Sequence, residues 1–236
     1  MNRETLCLLP GMMCDERLFA PQMAALEGEY DIVVGDISGA DTIGALADAL
    51  LDRLPERFNL AGLSMGGIVA QEMVRRAPGR VMRLALLDTS FGPDSDRRKT
   101  LRDDQIARVR EEGLEAVFIA EMKPHYLAAA NAGDARLNAL FLDMAMALGT
   151  DVFIRQTKAL RDRPDQTETL RGFAGPALVL CGAEDRMCPP KIHEQMARLL
   201  PNAELTVIEG AGHISTLEAT DEVNAALAAW LARPLA

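Results

Sequence analysis

Aromatic side chains make up only 4% of this 236-residue chain, so rings that would stack on an aromatic ligand are few. Basic residues are outnumbered, 25 Lys and Arg against 35 Asp and Glu, for a net charge of −10. Nucleic-acid binding needs a basic face, and anionic membranes attract basic ones, so neither partner is expected. The acidity reads as a solubility feature. No apolar run approaches the ~18 residues of a membrane span. Met1-Asn2-Arg3-Glu4 carries an acid and leads into a short apolar run that a glycine soon ends, so no signal peptide is expected. Free thiols are then the default for the four cysteines, Cys7, Cys14, Cys181 and Cys188, and the cytoplasm is the expected location. No Cys/His spacing resembles a metal site. Histidines number three, which shortens the search for a general base.

Six apolar runs read as strands: Thr5–Leu9, Asp31–Ile37, Phe58–Leu63, Arg83–Asp88, Ala177–Cys181 and Glu204–Ile208. Most are nearly continuous rather than alternating, as in a parallel sheet covered on both faces. Helical patterns separate them, near Glu16–Leu26, Thr42–Leu54, Met65–Arg76, Pro190–Leu200 and Asp221–Leu231. The alternation predicts a doubly wound, mostly parallel six-stranded α/β sheet. One interval breaks the rhythm: Thr89 to Ala177 contains no strand. Its helical stretches, near Leu101–Glu112, Leu114–Met122, Ala135–Leu148 and Val152–Arg161, predict a helical insertion over residues 92–170. Residues 1–91 and 171–236 then form the core.

Gly62-Leu63-Ser64-Met65-Gly66 has the form G-x-S-x-G, between a strand and a helix-period segment. That context defines a nucleophile elbow, in which a serine sits on a strained turn. Glycines flank it because larger side chains would collide with the neighbouring strand and helix. A serine hydroxyl is a weak nucleophile and needs a base, oriented by a third group. His213, in Glu209-Gly210-Ala211-Gly212-His213, lies just past the last strand on a loop able to swing an imidazole over the sheet end. His193 falls in a helix and reads as exposed. His125, inside the insertion, reads as a surface or structural residue, with pocket lining as the alternative. The acid should follow a late strand and precede the histidine. Asp185, in Gly182-Ala183-Glu184-Asp185, fits best, with Glu184 and Asp88 as competitors and Asp36 as structural. An oxyanion site needs two backbone N–H groups. Met65 supplies one. Pro10-Gly11-Met12-Met13 supplies the other, from Met12 or alternatively Met13.

On these four segments the chain resembles the α/β-hydrolase superfamily over almost its whole length. In detail it is similar to small bacterial carboxylesterases and thioesterases, including pimeloyl-acyl-carrier-protein methyl ester esterases and haloperoxidase-like esterases. Pro10-Gly11 stands where many relatives carry His-Gly, and the first two antiparallel strands of the full fold are missing. The resemblance implies a hydrolase-fold sheet with a helical cap and a cofactor-independent Ser64-His213-Asp185 triad. It also implies cleavage of a small ester or thioester, with an acyl-carrier-bound substrate as one form. C–C bond hydrolysis, acyl transfer or perhydrolysis on the same triad, and a silent binding protein, are the alternative readings. Met12, Met13, Met65 and Met187 on the loops, and Met122, Phe141, Met144 and Met146 in the insertion, are available to an adaptable apolar pocket. Met13, Phe141, Met144 and Met187 are the expected substrate contacts. The few aromatics favour an aliphatic acyl group.

Overall fold

In the computed structural model, residues 3–235 are described. Met1 and Asn2, which open the segment read as carrying no leader, and Ala236 lie outside them. The strands are β1 (Thr5–Leu9), β2 (Asp31–Val34), β3 (Phe58–Leu63), β4 (Val81–Leu87), β5 (Ala177–Gly182) and β6 (Ala203–Ile208). They form one sheet in the order β2-β1-β3-β4-β5-β6, with every pair parallel. The doubly wound six-stranded sheet therefore matches the sequence expectation.

The pattern of apolar residues explains which strands are central. Every residue of β3 and β5 is buried. The edge strand β2 alternates between exposed and half-buried. Successive side chains of a strand point to opposite faces. Leu6 and Leu8 of β1 enter one hydrophobic core, and Cys7 and Leu9 enter the other. The first core is covered by α1 (Ala20–Leu26) and α11 (Thr220–Leu231), and the second by α2 (Ile43–Leu51), α3 (Met65–Arg76) and α9 (Pro190–Leu199).

Two strand boundaries differ from the sequence reading by more than one residue. β2 stops at Val34 rather than Ile37. Gly35 N–H still bonds Leu8 C=O at 2.9 Å, and then Asp36 turns the chain away by accepting a bond from Ser38 N–H at 2.8 Å. β4 starts two residues earlier than expected, at Val81.

Between β4 and β5 the chain is helical: α4 (Asp96–Glu112), α5 (Leu114–Val117), α6 (Ala135–Leu148), α7 (Thr150–Arg161) and the short α8 (Thr167–Gly172). Ser95 caps α4 by accepting from Arg98 N–H, so this helix begins before the predicted Leu101. α5 runs on into a single π-turn, Phe118–Met122. α8 is too short to give a periodic signal. α10 (Ser215–Glu218) precedes α11. Among the described residues no single helix is long and apolar enough to cross a membrane.

The strand order reverses between β1 and β3. Ligands of open α/β sheets bind in the crevice outside the strand ends at such a point. The register aligns Leu9 with Gly62, and Leu63 with Leu87. The turns after β1, β3 and β4 therefore leave the same edge together.

The helix after β3 lies against the end of β1, and Gly66 permits it. A Cβ on Gly66 would sit 2.1 Å from Leu9 O and 2.5 Å from Leu9 C, which are backbone atoms that cannot rotate away. We expect Gly66→Ala to destabilise the fold by about 1–3 kcal/mol or more, as overpacking does. Urea unfolding checks this: the midpoint should fall in Gly66→Ala and stay near wild type in Gly28→Ala, where an added Cβ meets nothing within 4 Å.

Candidate active site

Ser64 follows β3 with φ 52° and ψ −115°. Its backbone is tied on both sides. Ser64 N–H donates to Leu87 C=O at 2.9 Å, and Ser64 C=O accepts from Ile68 N–H at 3.2 Å and from the Thr89 hydroxyl at 2.6 Å. The hydroxyl is left to face His213, whose Nε2 lies 2.9 Å from Ser64 Oγ. His213 Nδ1 lies 2.9 Å from Asp185 Oδ2. The other carboxylate oxygen of Asp185 accepts from Met187 N–H at 2.8 Å and Cys188 N–H at 2.9 Å. The turn after β5 thus fixes Asp185, and Asp185 faces the imidazole.

The loop that carries His213 is held as firmly. His213 N–H donates to Tyr126 C=O at 2.8 Å. Glu218 accepts from Gly212 N–H at 2.8 Å and from Ala128 N–H at 2.7 Å. His213 and Asp185 are both buried. Burial is the largest effect on the His213 pKa and lowers it. The Asp185 charge and hydrogen bond, with Asp88 and Glu218 behind them, outweigh burial and leave the pKa raised.

The competing residues are engaged elsewhere. Asp88 is fully buried and accepts from Gly182 N–H at 3.0 Å, Ser215 N–H at 3.3 Å and the Ser215 hydroxyl at 2.5 Å. It joins the turn after β5 to the loop after His213 and makes no hydrogen bond to the imidazole. Burial, then the neighbouring Asp185 charge, push its pKa up. Glu184 accepts from Ala129 N–H at 2.9 Å. Asp36 bonds only its own turn.

His193, read as exposed, is instead fully buried. Its Nε2 accepts from Thr89 N–H at 3.0 Å, and burial lowers its pKa to about 4. A neutral imidazole thereby orients the threonine that holds Ser64. Helix periodicity did not reveal this because the partner is a loop amide 104 residues away in sequence. His125 is exposed and lines the cavity described below.

In the turn after β1, a Cβ on Gly11 would lie 3.6 Å from Ser64 Cβ, so this backbone passes directly over the serine. Met13 has φ 57°, and its N–H donates to Gln156 Oε1 at 2.9 Å. That amide is therefore occupied. Gln156, on α7, was not singled out in the sequence. Its Nε2 donates to Ile37 C=O at 3.2 Å, so both ends of a buried amide are used. Met65 opens α3 and its side chain is buried in the sheet core. Only its backbone can face the site.

A cavity of about 710 Å³ opens over Ser64 and His213. Met12 and Met187 line it, with Leu101, Met122 and Leu160. Met13, Phe141 and Met144, expected as substrate contacts, do not. All three are buried in the core. The apolar stripe of α6 packs inward, and the Phe141 ring meets Tyr126 edge-on at 5.4 Å. An amphipathic stripe shows that a helix has a buried face but not which core receives it. Arg98, Arg102, Arg108, Arg163 and Arg186 also line the cavity, a feature hidden by the acidic composition.

The ligand atoms of Asp185, Cys188 and His213 lie within 4.8 Å of one another. Both imidazole nitrogens already face Ser64 and Asp185. Burial, then the Asp185 charge, push the Cys188 thiol pKa up, which keeps the sulfur protonated and a poor metal ligand.

The model of the alpha/beta hydrolase family matches residues 9–226. The chain belongs to this family. It is 28% identical over 248 residues to the putative carbamate hydrolase RutD of Caulobacter sp. (strain K31), covering 98% of this chain and 91% of that one. A thermophilic esterase from Thermogutta terrifontis, solved with malate bound, superposes with a TM-score of 0.89 at 30% identity, over 98% of this chain and 90% of the other. The enol-lactonase of Burkholderia xenovorans LB400 shares the fold, with a TM-score of 0.87 at 24% identity over 99% and 93%. The protein is thus an enzyme of the alpha/beta hydrolase family.

Gln156→Leu should leave Met13 N–H and Ile37 C=O buried without partners, at about 1–3 kcal/mol for each group. Denaturant unfolding should show a lower midpoint, and an unchanged midpoint would remove Gln156 from this role. The raised His213 pKa sets the sign of a second expectation. With His213 as proton acceptor for Ser64, the imidazole must be neutral, so acylation by p-nitrophenyl acetate should be present at high pH and lost as pH falls. The midpoint of that loss should lie above 6.5, the ordinary imidazole value. In Asp185→Asn the midpoint should move to lower pH and the plateau should drop. A midpoint that stays put would detach Asp185 from His213.

Proposed function

We propose that the protein is a cofactor-independent serine hydrolase that cleaves a small carboxylic ester or thioester through an acyl-enzyme. One observation carries this reading: the continuous line Asp185–His213–Ser64, with both contacts at 2.9 Å. Ser64 Oγ attacks the substrate carbonyl while His213 Nε2 takes its proton. Asp185 keeps the Nδ1–H tautomer and stabilises the imidazolium that forms. The backbone N–H groups of Met12 and Met65 receive the oxyanion. His213 returns the proton to the leaving group. Water, activated by the same imidazole, then releases the acid. The esterase and the enol-lactonase among the similar proteins break ester-type bonds, in keeping with this chemistry.

Residues 92–170 act as a cap over Ser64. Support comes from the strandless interval and from Met122 and Leu160 beside the cavity. The largely apolar side chains near Ser64 suit a small aliphatic acyl group, presented free or on an acyl carrier. The reduced thiols, three of them buried, are in keeping with a cytoplasmic location.

Ser64→Ala and His213→Ala should each lower turnover of p-nitrophenyl esters on the order of 10⁴-fold or more, because the triad acts as a unit. Steady-state rates on an acetyl-to-octanoyl series, with circular dichroism to verify folding, test this. More than a tenth of wild-type activity in the serine variant would end the assignment. Among the amide variants Asp185→Asn, Asp88→Asn and Glu184→Gln, the first should lose the most turnover. A larger loss at Asp88 would move the acid to the end of β4.

A further inference from the structure

We propose that the cavity selects substrates that carry an anionic group, a carboxylate or a phosphate, besides the scissile acyl bond. This rests on the serine-hydrolase reading above and deepens it. The chain as a whole is acidic, with a net charge of −10. The cavity inverts that balance: Arg98, Arg102, Arg108, Arg163 and Arg186 line it against only Asp104 and Glu121.

The pairing of these arginines shows which are spoken for. Arg108 is held by Glu112, at 2.8 Å, and by Glu121. Three others converge on one buried carboxylate, Asp94. Arg102 Nε lies 2.5 Å from it, Arg163 Nη2 2.9 Å and Arg98 Nε 3.9 Å. One negative charge against three guanidinium groups leaves an excess of positive charge. Much of that excess is shielded from water, since the Arg163 and Arg102 side chains are only 7% and 14% exposed. Burial lowers the Arg163 pKa; the Asp94 charge raises it in part, and repulsion from Arg102 and Arg98 works against Asp94, so the pKa stays lowered. The cluster is therefore short of a counter-charge. Arg186, directly after Asp185, is exposed and makes no ion pair among the described residues.

The cluster also lies beside the triad. Arg98, Arg163 and Cys188, whose N–H holds Asp185, line the same cavity as Ser64 and His213. Guanidinium groups bind carboxylate and phosphate in a two-pronged geometry. An anionic substituent that reaches the cluster while the carbonyl sits at Ser64 would supply the missing charge and anchor the substrate.

The test compares kcat/KM on two matched pairs. p-Nitrophenyl hemiglutarate against p-nitrophenyl butyrate places a carboxylate on the acyl side. Butyryl-CoA against butyryl-N-acetylcysteamine places phosphates on the leaving group. The wild type should favour the anionic member of one pair at least tenfold, and that pair identifies the side. In Arg98→Gln/Arg186→Gln, which leaves Arg102 and Arg163 on Asp94, the ratio should fall to about one. If both neutral substrates are hydrolysed but no anionic partner is favoured, the proposal is overturned while the serine-hydrolase reading stands. A preference that survives in the double variant overturns the assignment to this cluster. If none of the four substrates is hydrolysed, the functional reading fails and the proposal falls with it.

Discussion

Ser64 is a non-glycine residue at positive φ, a conformation that costs about 1–3 kcal/mol and persists only where the surroundings enforce it. Here the enforcement comes from contact with neighbouring backbone. Gly62 and Gly66 face each other so closely that a Cβ on Gly62 would lie 2.4 Å from Gly66 C, and Gly66 in turn touches the end of β1. Gly67 sits against Thr89, whose hydroxyl holds Ser64 C=O. His193 then fixes Thr89 through its amide. Strand β1, the elbow and the turn after β4 lock one another, and the sheet core maintains the strain.

The same economy governs the two buried carboxylates at the sheet edge. Asp185 lies close enough to Asp88 for its charge, after burial, to raise the Asp88 pKa, yet the two have different tasks. Asp185 spends one oxygen on two backbone amides and offers the other to His213. Asp88 spends both oxygens on Gly182 and Ser215, and so ties the turn that carries Asp185 to the loop that carries His213. One carboxylate faces the imidazole, and the other sets the spacing between the segments that bring the pair together. Gln156 does the corresponding work on the far side, linking α7 to the turn that passes over Ser64.

Much of this was legible in the sequence because it depends on local signals. Continuous apolar runs gave the parallel strands. Glycines around Ser64 and before His213 marked places where backbones meet. Three histidines left few candidates for the base. What stayed hidden depends on tertiary neighbours. The burial of His193, the bracing roles of Asp88 and Gln156, the bond from Ala128 N–H to Glu218 and the arrival of Arg163 at Asp94 all join residues distant in the chain. Phe141 and Met144 were misplaced for the same reason. Periodicity identified the apolar face of α6, but only the packed structure shows that this face meets Tyr126 and the core rather than the cavity.

The triad geometry points to activation of Ser64 alone, by His213. The most direct measurement is to expose the protein to a fluorophosphonate near pH 8 and map the modified peptide by mass spectrometry. One adduct is expected, on Ser64, formed within minutes and lost in His213→Ala with the fold intact. Labelling at another residue, or equally fast labelling of Ser64 without His213, would contradict it.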